Sequence, residues 1–142
     1  MYILDTDHLS LIQRNGQEGK RILARLMALE EVEVAVTVIT YEEQIRGRLS
    51  VLSRVKTLDK QVLAYQGLQQ LAKDYQSILM LPFSRIAALE HQGLRKTYPR
   101  LGNMDLKIAA ITLVNSAILL TRNQSDFGQI TELQIEDWST PN

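Results

Sequence analysis

Short apolar runs at wide intervals constrain this chain more than any other feature. Tyr2-Ile3-Leu4, Val32 to Ile39, Ile78-Leu79-Met80-Leu81 and Ala117 to Thr121 are rich in aliphatic and β-branched residues, and each is only a few residues long. Runs of this kind read as strands covered on both faces. A fifth, Leu133 to Trp138, is diluted by Glu136-Asp137. Between them the apolar residues change to helical spacing, as at Ile22, Leu23, Leu26 and Leu29, then Ile45, Leu49 and Leu52. A longer stripe, Leu58, Val62, Tyr65, Leu68 and Leu71, predicts a helix over Thr57 to Tyr75.

Punctuation supports the alternation. Thr6 or Asp7 would cap a first helix that Asn15-Gly16 closes. Pro82 stops the third strand and Ser84 caps the next helix. Tyr98 to Gly102 is a loop, Asn103 caps a helix over Met104–Asn115, and 123–128 is a loop or short turn. Strands alternating with helices predict an α/β fold: a central, mostly parallel sheet of four to five strands flanked by helices. At 142 residues this is one domain, 1–142, long enough to fold without a disulfide or metal staple.

Composition removes several chemistries. The absence of cysteine excludes a disulfide scaffold, a thiolate zinc site and a cysteine nucleophile. Sixteen basic and sixteen acidic residues cancel, so any nucleic-acid contact must come from a local patch. Met1 to Leu9 lacks the basic region of a signal peptide, and Ile108–Leu120 is too short and too polar to span a bilayer. The expected setting is soluble and cytoplasmic, with no membrane.

In open parallel sheets, ligands bind outside the carboxyl ends of the strands. Four acids fall near that edge. Asp5 ends the first strand, Glu43 lies one turn into the helix after the second, Asp105 starts the helix before the fourth, and Asp126 follows the fourth. Carboxylates gathered in one cleft repel one another and resist losing water. A hard divalent cation such as Mg²⁺ removes that conflict, and bound there it lowers the pKa of water and polarises a phosphoryl oxygen. That is the chemistry of phosphodiester hydrolysis, and it requires no histidine.

Each acid also has a plainer reading. Thr40-x-x-Glu43 is a capping-box pattern. Asp105 suits a first helical turn, and Asp126 suits a turn or cap. Asp5 is harder to dismiss, because a carboxylate directly after a buried strand is costly unless paired. Asp7 reads as a helix cap or a water-mediated metal ligand, Asn123 as a turn cap or a support for the metal, and His8 as a surface helix residue.

Tyr2-Ile3-Leu4-Asp5-Thr6-Asp7-His8-Leu9-Ser10 resembles the opening of PIN-domain toxins of the VapC type. Val38-Ile39-Thr40-Tyr41-Glu42-Glu43-Gln44-Ile45-Arg46-Gly47 resembles the family's second motif, and Gly102-Asn103-Met104-Asp105-Leu106-Lys107-Ile108-Ala109-Ala110 its third. Leu119-Leu120-Thr121-Arg122-Asn123-Gln124-Ser125-Asp126-Phe127 resembles the fourth, and Ile135-Glu136-Asp137-Trp138 the last strand. The resemblance implies a PIN-like three-layer sandwich and an endoribonuclease dependent on Mg²⁺ or Mn²⁺. It also implies RNA as substrate, a cognate antitoxin that silences the enzyme, and a homodimer. By the same resemblance Asp5, Glu43, Asp105 and Asp126 form the catalytic set, with Asp5, Asp105 and Asp126 holding metal and Asp7 and Asn123 in support. Asp7 stands where many relatives carry asparagine. Arg46, Arg48, Lys107 and Arg122 are the nearest cations for RNA phosphate.

Two rival readings use the same residues. Leu4-Asp5-Thr6-Asp7 also resembles the opening of haloacid-dehalogenase-type phosphatases, in which Asp5 would be a nucleophile. That reading leaves Glu43 and Asp105 unexplained and offers only Glu136-Asp137 as a late acidic pair. A non-catalytic binding module would use the acids as caps. The helices over 40–52 and 57–75 would pack as a hairpin, with leftover apolar positions for a dimer or an antitoxin.

Overall fold

The computed structural model describes residues 1–141; the domain span of 1–142 ends one residue outside it. Among the described residues there are five strands: β1 (Tyr2–Leu4), β2 (Val34–Thr37), β3 (Leu79–Leu81), β4 (Ile118–Leu120) and β5 (Gln134–Glu136). They form one sheet in the order β3-β2-β1-β4-β5, and every pairing is parallel. Ile3 stands opposite Ala35 on one side and Leu119 on the other. The chain therefore starts in the middle, builds outward through β2 and β3, and crosses to the opposite side of β1 for β4 and β5.

The helices are α1 (Thr6–Arg14), α2 (Gln17–Met27), α3 (Val38–Arg54), α4 (Leu58–Asp74), α5 (Arg85–Thr97), α6 (Asn103–Val114) and α7 (Gln124–Phe127). Side chains alternate along a strand, and that alternation makes two cores. Ile3 and Leu119 face one, with Ile39, Ala87, Leu94 and the buried residues of α6. Leu4, Val36 and Leu120 face the other, with Leu9, Leu11, Ile22 and Trp138. The three-layer expectation holds. Helix α6 is buried nearly all round, from Leu106 to Thr112, as its lack of a polar face requires. The hydroxyl of Thr112 is satisfied by donating to the carbonyl of Ile108 (2.8 Å).

Several boundaries differ from the sequence reading. Strand β2 ends at Thr37, whose hydroxyl accepts from the Thr40 amide (3.1 Å), so α3 begins at Val38 rather than Thr40. The capping pair is thus Thr37 and Thr40, which removes the capping-box reading of Glu43. Asp5, rather than Thr6 or Asp7, caps α1. Gly102 occupies the cap position of α6, and Asn103 instead bonds the His91 ring (2.8 Å). Residues 124–127 form a short helix capped by Asn123. Asn15 closes α1 in the left-handed conformation, and Ser84 caps α5 as expected.

Helices α3 and α4 do pack together, but the long apolar stripe on α4 does not all face inward. Leu71 is buried, whereas Leu58 is 76% exposed and Val62 and Tyr65 are more than half open or close to it. Edge strand β3 also leaves Leu79 and Met80 exposed. Among the described residues no helix is long and apolar enough to cross a membrane.

Candidate active site

The switch in strand order falls between β1 and β4, and their carboxyl ends open a crevice there. Asp5 leaves β1 and Thr121 leaves β4 at that point. They are 116 positions apart, yet the Thr121 hydroxyl donates to Asp5 Oδ2 (2.8 Å). The other oxygen of Asp5 accepts from the Thr6 amide (2.8 Å) and so caps α1. Capping α1 is thus one role of Asp5, but it does not account for the other acids around it.

A cleft of about 350 Å³ lies over this crevice, lined by Asp5, Asp7, Glu43, Asp105, Arg122 and Asn123 among others. Four of the acids singled out from sequence therefore face one space. Glu43 is held by the Thr6 hydroxyl, which donates to its Oε1 (2.7 Å) and lies 3.0 Å from the Thr40 hydroxyl. Asp105 reaches the cleft from the first turn of α6. Asp126 does not line it. The Asn123 side-chain amide donates to Asp126 Oδ2 (3.1 Å), which keeps that carboxylate at the margin.

The electrostatics record the crowding. Asp5 is 6% exposed, and its pKa is pushed up to about 7, first by burial and then by the charge of Asp7, with Asp105 adding to it. The bonds from Thr121 and Thr6 pull the other way and are outweighed. Asp105 is raised as well, by burial and then by Glu43, Asp126 and Asp7. Asp126 is thus close enough to be felt by Asp105 although it stands outside the cleft wall.

Asp7 and His8 depart from expectation together. His8 is fully buried, not a surface residue. Its Nε2 accepts the backbone N–H of Trp138 (3.1 Å), so the ring proton sits on Nδ1, which donates to Asp7 Oδ1 (2.8 Å). Asp7 Oδ2 accepts the Arg122 amide (3.0 Å) and lies 3.3 Å from the Thr121 hydroxyl. Asp7 is therefore not the cap of α1; it ties β4 to the C-terminal segment across the cleft.

Of the cations expected near RNA, only Arg122 lines the acidic cleft, and it pairs with Glu18 (3.1 Å). Arg46 pairs with Glu42 (2.6 Å) on the surface. Lys107 sits over the Phe83 ring, 5.9 Å from its centre. Arg48 lines a neighbouring groove. Sequence reasoning missed Thr6, Thr121 and Arg14, all of which border the site. A signal existed for the two threonines: each is a polar residue placed directly at the end of a strand leading to the crevice.

The set offers oxygen donors suited to a hard cation. Among the described residues no three carboxylates or imidazoles stand close enough to enclose an ion by themselves. Mg²⁺ does not need such a cage, since it keeps several waters and takes one or two carboxylates. Asp5 and Asp105, both raised by burial and then by neighbouring negative charge, fit that requirement.

The phosphatase reading fails on geometry. Glu136 accepts from the Trp138 indole (2.9 Å), and Asp137 accepts the Ser139 hydroxyl and amide, so neither late acid enters the cleft. Glu43 and Asp105, for which that reading has no use, do enter it.

No family model matches the chain. It is 28% identical over 141 residues to "Ribonuclease VapC1" of Haemophilus influenzae (strain R2866), with 98% of both chains covered. The structure of VapBC-1 from nontypeable Haemophilus influenzae superposes with a TM-score of 0.75 at 26% identity, covering 98% of each chain. VapBC2 from Rickettsia felis, bound to a DNA fragment from its promoter, shares the fold with a TM-score of 0.74 at 24% identity, over 96% of this chain and 98% of that one. Along nearly its whole length the chain is thus similar to proteins named ribonuclease VapC1, and it shares the fold of chains in the VapBC structures.

Proposed function

We propose that this chain is an endoribonuclease toxin of a type II toxin–antitoxin pair, hydrolysing RNA phosphodiester bonds at the acidic cleft with Mg²⁺ or Mn²⁺. The observation that carries the reading is the convergence of Asp5, Asp7, Glu43 and Asp105 on one cleft at the β1–β4 switch point. The similarity to proteins named ribonuclease VapC1 and to VapBC complexes supports it.

Asp5 and Asp105 would hold the ion directly, and Asp126 would act through water. Bound there, a divalent ion supplies an acidified water and neutralises charge developing on the phosphoryl oxygens. Thr121 fixes the orientation of Asp5, and Thr6 fixes that of Glu43. Glu43 keeps one carboxylate oxygen free of these bonds, with which it would orient the attacking water and receive its proton. Asn123 holds Asp126 and caps α7. Arg122, on the cleft wall, would steer the substrate phosphate.

The cognate antitoxin would silence the enzyme, and the exposed Leu58, Val62, Leu63 and Tyr65 of α4 offer apolar surface for it or for the second chain of a homodimer. The cytoplasm is the compartment where such a nuclease meets RNA. The test is cleavage of a structured RNA mixture by protein freed of antitoxin, with Mg²⁺, Mn²⁺ or EDTA. Wild-type protein should cut only with metal, and Asp105→Asn should not cut. Metal-independent cleavage, or equal cleavage by the variant, would refute the reading.

A further inference from the structure

A second cleft, of about 380 Å³, continues from the acidic one along the seam between α1 and α3. The two share Thr6, Ser10, Arg14 and Glu43, so a chain leaving the acids on this side enters the groove directly. Its walls follow from helical spacing. Ser10, Gln13 and Arg14 come from one face of α1, and Gln44, Gly47 and Arg48 from one face of α3.

Three features of this groove bear on what it could hold, beyond the favourable place of Arg14 in the last turn of α1. The first is its charge. Arg46 and Arg122 each pair with a glutamate, but among the described residues neither Arg14 nor Arg48 has a carboxylate within ion-pair distance. The second is the placement of Arg48. It is half-buried, lying across Gly67 of α4 with a guanidinium nitrogen 3.4 Å from where a Gly67 Cβ would be. Partial burial of an unpaired cation is unfavourable. The third is Gly47. Glycine weakens a helix interior, yet a Cβ at this position would meet nothing within 4 Å, so packing does not demand it. It leaves bare backbone on the groove wall.

The floor is rigid. The Gln44 side-chain amide donates to Gln13 Oε1 (2.8 Å), and its oxygen accepts from the Tyr75 hydroxyl (2.8 Å). Gln44 also donates to Ser10 Oγ (3.3 Å) and Gln13 to Asp74 (3.3 Å), so among the described residues the open side-chain donors of the groove are those of Arg14, Arg48 and the Ser10 hydroxyl.

We infer that this groove is a subsite for the RNA strand next to the scissile phosphate. Arg14 and Arg48 contact its backbone phosphates, and the bare Gly47 lets the strand lie against α3. The assignment rests on the nuclease reading. It concerns phosphates rather than bases, so it sets position and affinity and not sequence preference. Unpaired cations favour a polyanion over the apolar segment of a protein partner.

The experiment is anisotropy of a labelled, mixed-sequence single-stranded RNA with full-length protein freed of antitoxin. It is run in EDTA, so that nothing is cut, across a salt series. The double variant Arg14→Gln/Arg48→Gln should weaken binding at least about tenfold and flatten the log–log salt slope by about 1.4, the value for two lost single-strand phosphate contacts. Gly47→Ala should raise thermal stability and still weaken RNA binding, a combination that general damage would not give. If wild type binds RNA and these variants match it in affinity and slope, the groove assignment is overturned. The same holds if the variants bind RNA normally but lose antitoxin. If wild type binds no RNA and cuts none, the nuclease reading itself fails, and the groove assignment with it.

Discussion

The Nδ1 of His8 lies 2.8 Å from Oδ1 of Asp7, its neighbour in sequence, and the opposite nitrogen of the same ring accepts the Trp138 amide. One imidazole therefore joins the acidic cleft to the C-terminal segment. Partners of this kind orient the groups that would hold a metal ion.

His8→Gln should accordingly fold while releasing Asp7. Activity or Mn²⁺ affinity is expected to fall about 10–100-fold. Nitrogen-15 shifts of the wild-type ring should report a proton on Nδ1. A folded variant with unchanged cleavage and metal affinity would remove His8 from the site.

Asp5 makes a pH prediction. Its folded pKa of about 7 exceeds the ordinary 3.8. Between those values the folded protein keeps a proton that the unfolded chain has lost, so without metal this group's contribution falls as pH rises through the window. Asp5→Asn should therefore be nearly neutral in stability at about pH 4 and increasingly stabilising up to about pH 7, then level off. Thermal melts in EDTA at several pH values test this. A gain that does not depend on pH would contradict the burial and charge argument.

Thr6 donates to Glu43 at 2.7 Å, a bond to a carboxylate that valine cannot make. Thr6→Val should lower kcat about tenfold or more with little change in KM, and Thr6→Ser should restore most of it. A Thr6→Val enzyme with normal kcat would mean that Glu43 needs no such support.

Gly19 tests the fold independently of the chemistry. It is buried where α2 meets α1, and an added Cβ would lie 2.1 Å from the Leu11 carbonyl oxygen. Since backbone must shift to admit it, Gly19→Ala should cost about 1–3 kcal/mol in urea unfolding.

What the sequence made legible has a physical pattern. Strand positions and the parallel sheet were readable because buried strands demand continuous apolar runs, and Ile3, Leu4, Leu119 and Leu120 supply them on both faces. Asp5, Glu43 and Asp105 could be grouped from the sequence because each falls beside the carboxyl edge of an open parallel sheet, although each alone also has a structural use. Asp126 was readable as an acid, but its place at the margin depends on a side-chain bond to Asn123 that no spacing encodes. His8 was misjudged because the group that bonds its Nε2, the Trp138 amide, is 130 positions away. The exposed stripe on α4 has the period of a buried one, since periodicity reports an apolar face without saying what covers it.

The central claim, that these carboxylates together bind a divalent ion, is tested most directly by calorimetric titration with Mn²⁺ at about pH 7, in two buffers of different ionisation heat. The account predicts that wild type binds with release of protons, because Asp5 holds one near this pH, and that Asp5→Asn and Asp105→Asn each bind at least about tenfold more weakly. Binding of equal strength by all three proteins, with no proton release, would contradict it.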